Sequence, residues 1–190
     1  MKQNCQESRG RYKKDKKTDV LVTGLSGEGV LVEIEGHDNV IIEKMAQPGG
    51  NTAISSGGFM VPQDGPTALK YLTATYDLAN SEKDDELLNT FCKEIMGVKD
   101  WLTGLKEGTE LWVYGHAGFQ NLPGWEVIDK YRVRGKKRSG DCLFDLYRYA
   151  VEEKRNIPVM LETPAVQLIQ KDGQVVEITA RTSISKPTRP

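Results

Sequence analysis

Two short apolar runs close together constrain this chain more than any other feature. DVLVT (19–23) and NVIIE (39–43) are each rich in β-branched residues and bounded by polar ones, the pattern of strands buried on both faces. The first stops at Gly24. Strands of this kind pair in parallel, and a parallel pair needs a crossover of a dozen or more residues between its members. Residues 24–38 barely suffice. Any crossover helix is confined to about Glu28–Gly36, with Gly36 suited to a left-handed cap. A parallel α/β sheet is therefore expected from residue 18 onward.

The rest of the chain is punctuated clearly. QPGGNTAISSGGFMVPQDGP (47–66) reads as a loop rich in Gly, Ser and Pro. Thr67–Ala79 reads as a helix with Leu69, Leu72, Tyr76 and Leu78 near 3.6 spacing and Pro66 in its first turn. Ser81 is expected to cap the next helix, with Leu87, Leu88, Phe91 and Ile95 on one face. Asp100–Leu105 reads as a short turn and Thr109–Tyr114 as a strand. Residues 115–138 read as loops with a short strand at 126–133. A helix from about Ser139 repeats Leu143, Leu146, Tyr147 and Ala150. PVMLETPAVQLIQ and QVVEITAR flank Asp172-Gly173, a strong hairpin signal.

Composition sets outer limits. With 26 Lys+Arg against 27 Asp+Glu, the net charge is -1, which lacks the cationic surplus that holds a nucleic-acid backbone. No apolar run approaches the roughly 20 residues of a membrane-spanning helix. Met1–Lys17 is polar and basic, read as a disordered arm without a secretory core, so a cytoplasmic setting is expected. Cys5, Cys92 and Cys142 are too far apart for a disulfide framework or a zinc pair. No metal site is expected.

The chemistry concentrates between Gly24 and Gly58. A strand, the cluster Gly24-Leu25-Ser26-Gly27-Glu28-Gly29, a short helix and a second strand ending at Glu43 form the pattern of a dinucleotide-binding βαβ unit. Gly24 would make the tight turn, Gly29 would allow close helix-to-sheet packing, and Glu43 would accept both hydroxyls of an adenosine ribose. In the second cluster, glycines let backbone approach a flat ring, and Asn51, Thr52, Ser55 and Ser56 offer hydrogen bonds to its polar edge.

EKM (43–45) followed by PGGNTAISSGG (48–58), together with FQNLPG (119–124) and LFDLYRYAVEEKRNIPVMLETPAVQLIQKDGQVV (143–176), resembles the flavoprotein subunits of the fumarate reductase and succinate dehydrogenase family. Urocanate reductase-like and 3-ketosteroid dehydrogenase-like flavoenzymes belong to the same group. The resemblance spans about Asp19–Arg181. It implies a Rossmann-like FAD-binding domain at 18–183, with 66–138 as a helical and loop insertion, a C-terminal hairpin, and tails at 1–17 and 184–190. It also implies FAD as cofactor, held by Gly24, Ser26, Gly29, Glu43, Lys44, Gly49, Gly50, Asn51, Thr52, Ser55, Gly57 and Gly58, with Val166 touching the adenine through its backbone. The chemistry implied is hydride transfer between flavin and a C=C bond next to a carbonyl, on a small-molecule substrate.

The chain departs from the family pattern in three places. Ser26 stands at the middle glycine of the phosphate loop, where its hydroxyl can donate to a phosphate oxygen. The crossover is at least a turn short. The family's capping domain, proton-donating arginine and last FAD segment have no counterpart here, so no catalytic residue is assigned and the chain reads as incomplete relative to the family. Arg132, Arg134 and Arg138 read as solvated surface. His116 has the chemistry of an acid or substrate ligand but no visible partner. Two alternatives stand beside the flavoenzyme: a non-catalytic remnant or partner subunit that completes a site with another chain or copy, and a binder of another adenine nucleotide.

Overall fold

The computed structural model describes residues 20–25 and 39–181; the basic arm, the crossover helix expected at 28–36, and Ser26 and Gly29 lie outside them. β1 (Val20–Thr23) and β2 (Asn39–Ile42) pair in parallel with Val20 opposite Asn39 and Thr23 opposite Ile42. The expected parallel sheet is therefore present. A third strand, β6 (Val159–Met160), adds to β2 in parallel, giving the order β1-β2-β6. Val40, Ile41 and Ile42 are all buried, as strands covered on both faces require.

Three segments depart from the sequence reading. The glycine-rich stretch contains a short helix, α1 (Gly50–Ile54), and a strand, β3 (Phe59–Pro62). Loop composition hid both, because α1 is too short for helical periodicity and β3 is paired from afar. β3 joins β5 (Ile128–Val133) and β4 (Leu111–His116) in an antiparallel sheet ordered β3-β5-β4. The run read as one strand before the hairpin breaks after β6, and β7 (Ala165–Lys171) begins only after a turn.

The helices shift their caps and faces too. α2 (Gly65–Leu78) starts where Asp64 accepts from the Thr67 amide at 3.0 Å. In α3 (Asp85–Glu94), Asp84 rather than Ser81 caps, accepting from the Leu87 amide at 2.9 Å. Of the expected face Leu88 is buried, but Leu87 and Phe91 are exposed and Cys92 is buried in their place, clustered with Ala68 and Tyr71 of α2 and with Ala117 and Ile128. α4 (Val98–Leu105) is a full helix where only a turn was expected.

α5 (Ser139–Arg148) continues into a π-helical turn, Tyr149–Lys154. Its buried residues Leu143, Phe144, Leu146, Ala150 and Val151 form the main core with Leu25, Ile41, Leu102, Leu105 and Val133. Full burial of each large side chain contributes about 1.5–3 kcal/mol, so this helix holds the parallel sheet and α4 in one unit. The hairpin of β7 and β8 (Gln174–Ala180) closes through Asp172 and Gly173, with φ of 53° and 79°. Two positive φ values in succession make the twisted two-residue turn that the Asp-Gly pair predicts.

Candidate functional site

Three parallel strands deliver their carboxyl ends to one place, where ligands of open α/β sheets bind. β1 ends in Gly24, whose φ of 104° only glycine adopts without strain, and whose amide donates to the Ile42 carbonyl at 2.7 Å. β2 delivers Glu43. This carboxylate is buried at 7% exposure, and its oxygens accept from the Leu25 amide at 3.0 Å and the Met45 amide at 2.8 Å. β6 delivers Thr163, whose amide donates to the Glu43 carbonyl at 2.8 Å. Glu43 thus ties the turns after all three strands together.

Two hydrogen bonds do not exhaust a carboxylate, whose two oxygens offer about four lone-pair sites. Capacity remains for the hydroxyls of a sugar. Three residues past Thr163 comes Val166, half-exposed and passed over by the ladder, which pairs Ala165 with Ala180 and Gln167 with Thr179. A bulge of this kind frees backbone groups for a ligand edge. An acceptor at a strand end and a bulged backbone suit the ribose and adenine of a dinucleotide. Lys44 is exposed beside them.

The glycine cluster is built largely by packing. Gly49 (φ 119°) caps α1, and its amide donates to the Leu25 carbonyl at 2.9 Å. A Cβ there would lie 2.7 Å from Ala53 Cβ and 3.1 Å from the Phe144 ring. Gly57 (φ 61°) is buried with its open side against the Ser139 carbonyl, and Gly140 of α5 meets the carbonyls of Thr52, Ala53 and Ser55. These glycines let α1 lie directly on the start of α5. The Ser55 hydroxyl donates to the Thr52 carbonyl at 2.8 Å and accepts from the Gly57 amide at 3.0 Å. Gly50, Asn51, Ser55, Ser56 and Gly58 are exposed, and the Tyr114 hydroxyl lies against Gly58. Within this stretch Gly49 and Gly57 are thus buried against their neighbours, while the polar residues Asn51, Ser55 and Ser56 are exposed.

With this geometry in view, the relatives fit. The FAD binding domain family matches residues 29–189 of the chain. The chain belongs to this family. A curated relative, urocanate reductase of Eggerthella lenta, is 27% identical over 184 residues, covering 90% of this chain and 29% of its own length. The chain thus spans less than a third of that relative. Among solved structures, a flavocytochrome c3 fumarate reductase superposes with a TM-score of 0.68 at 24% identity, over 86% of this chain and 30% of that one. The 3-ketosteroid Δ1-dehydrogenase of Sterolibacterium denitrificans gives 0.73 at 16% identity, over 87% and 44%. The mixed fold with a parallel sheet is that of these flavoproteins, and the family's cofactor is FAD. Among the described residues no helix is long and apolar enough to cross a membrane, and no group of His, Cys, Asp and Glu could hold a metal.

Several residues acquire partners that the sequence did not reveal. His116, without a visible partner in the sequence, lies 2.9 Å through Nδ1 from the buried carboxylate of Asp129. Arg132, read as solvated, is partly buried with its guanidinium 3.9 Å from the Tyr114 ring centroid. Arg134 pairs with Glu110 at 3.3 Å and Arg138 with Asp141 at 2.9 Å. A cleft of about 380 Å³ between the α4–β4 turn and α5 is lined by none of the expected cofactor residues that are described. Thr163 and Tyr114 were missed altogether, since nothing local in the sequence marks a residue that reaches the site through the fold.

Proposed function

We propose that this chain is the FAD-binding part of an oxidoreductase whose chemistry is hydride transfer between flavin and a C=C bond next to a carbonyl, on a fumarate-, urocanate- or 3-ketosteroid-like substrate. The observation carrying it is the convergence of Gly24, Glu43 and the Thr163–Val166 segment at the carboxyl ends of the parallel strands. Flavin, when bound, supplies the hydride donor or acceptor. In this reading Glu43 accepts from the ribose hydroxyls, and the Val166 backbone meets the adenine. Gly24, Ser26 and Gly29 approach the pyrophosphate. Lys44 and the exposed face of residues 49–58 border the cofactor, with Asn51, Thr52 and Ser55 as its polar contacts. Residues 18–183 act as the binding domain, with 66–138 as its insertion, in the cytoplasm.

Titration with FAD, followed by flavin absorbance and fluorescence, tests the reading. Saturable binding is expected, and Glu43→Gln, which keeps the volume and loses the charge, should weaken it about tenfold or more, the equivalent of one charge-assisted hydrogen bond. A folded chain that gains no flavin would sink the proposal.

A second reading, a subunit that completes its site with another chain, draws on the hairpin. Val166, Leu168, Val175 and Val176 are all about half-exposed or more, an apolar surface a partner could cover. Light scattering after size exclusion separates the two: a stable flavin-loaded monomer counts against the second.

A further inference from the structure

We propose that His116 is a proton-accepting site, its imidazole oriented by Asp129 so that Nε2 meets a ligand carrying an acidic hydroxyl. Asp129 is 6% exposed and gathers three donors: His116 Nδ1 at 2.9 Å and, on its other oxygen, Gln63 Nε2 at 3.0 Å and Tyr131 Oη at 3.3 Å. A carboxylate only accepts, so the Nδ1 facing it must carry the ring proton. In the neutral ring this leaves the lone pair on Nε2, the atom away from the protein's own acceptor. The same division of labour, a buried carboxylate fixing the tautomer of a working imidazole, underlies acid–base catalysis in hydrolytic triads.

The surroundings argue for a site over a brace. The Asp129 side chain is 9% exposed, whereas that of His116 is 50% exposed, so the ring is anchored at one end and open at the other. Trp125 packs against the imidazole at 6.4 Å between ring centroids, the two rings inclined at 79°. A proton acceptor beside aromatic surface fits a planar ligand with an acidic O–H. The O–H bond breaks, the Nε2–H bond forms, the electron pair stays on the ligand oxygen, and the imidazolium remains paired with Asp129. The other charged and titratable groups of the network are Tyr131 on β5 and Lys99 on α4, whose Nζ lies 3.5 Å from Tyr131 Oη and 5.1 Å from its ring centroid. Nothing in this depends on flavin, so its failure is separable from that of the FAD reading.

Nitrogen-15 NMR of the full chain, which has two histidines, His37 and His116, provides the test. The neutral Nδ1–H tautomer is expected at His116, and 4-nitrophenol should shift its Nε2 resonance selectively over that of His37. Asp129→Asn should slow acylation of His116 by diethyl pyrocarbonate about tenfold or more, since an orienting carboxylate lost from a triad costs far more. His116→Gln should leave the thermal midpoint within about 2 °C, as a half-exposed ring predicts. An Nε2–H tautomer in the unaltered chain overturns the proposal even if Asp129→Asn does not fold. So does an unchanged acylation rate, the absence of a selective response to 4-nitrophenol, or a His116→Gln variant as unstable as Asp129→Asn.

Discussion

The two sheets build their polar centres from different materials. At the end of β1-β2-β6 the parts are mostly backbone: amides of Leu25 and Met45 on the Glu43 carboxylate and that of Thr163 on the Glu43 carbonyl, with glycines at Gly24 and Gly49 setting the turns. On β3-β5-β4 the parts are side chains, with His116, Gln63 and Tyr131 gathered on Asp129 from three strands or their ends. A backbone-built site tolerates little change, because a misplaced Cβ or a lost acceptor moves the chain itself. A side-chain-built site can lose a member and keep its strands. The contrast predicts a gradient of sensitivity across the molecule.

Its steepest point should be Gly57→Ala. A side chain there meets both a left-handed φ and the Ser139 carbonyl, and strain of 1–3 kcal/mol adds to the steric cost. We expect a loss of about 3 kcal/mol or more by urea unfolding, and a loss below 1 kcal/mol would break the view that α1 lies directly on α5. Next comes Glu43→Ala, which deprives the Leu25 and Met45 amides of their acceptor. The expected cost is about 2–3 kcal/mol, measured in the same way. Asp129→Ala should cost less, about 1–2 kcal/mol, because water can reach the half-exposed His116 that it leaves behind. If Asp129→Ala proved worse than Glu43→Ala, the contrast between the sheets would be reversed.

A smaller effect is expected in alkali. Burial raises the Cys92 thiol above its ordinary value of 9.0 and the Tyr147 phenol above 10.0. Both groups hold their protons longer folded than unfolded, so the stability they lend is complete below the unfolded values and is lost as pH rises through the folded ones. Tyr147→Phe and Cys92→Ala should each flatten the fall in stability above about pH 9, followed by unfolding at a series of pH values. The least effect should come from Val176→Thr on the exposed face of β8, within about 0.5 kcal/mol.

What could be read in the sequence follows the same division. Strands β1 and β2, the Asp-Gly turn and the glycine positions were legible because each depends on local rules: β-branched runs, positive φ, short spacings. Glu43 was legible for the same reason, since it follows its strand directly. β3 was not, because it lies in a Gly- and Ser-rich stretch and pairs with a strand far along the chain; Val159–Met160 reads as strand but within the hairpin, and only pairing with β2 makes it part of the parallel sheet. The expected face of α3 was right at Leu88 and wrong at Leu87 and Phe91, since the period says that a stripe exists and the neighbouring α2 decides which stripe is buried.

By itself, then, the sequence determined the parallel start, the cofactor class through its glycine and EKM motifs, and the hairpin, all features written within a few consecutive residues. Tertiary structure alone decided that Gly49 and Gly57 serve packing while the polar residues of their loop are exposed, that Thr163 locks onto Glu43, and that His116 has Asp129 as its partner. These contacts join residues brought together by pairing between strands or by the packing of α1 on α5. Their energy depends on angstrom-scale distances that no local pattern encodes.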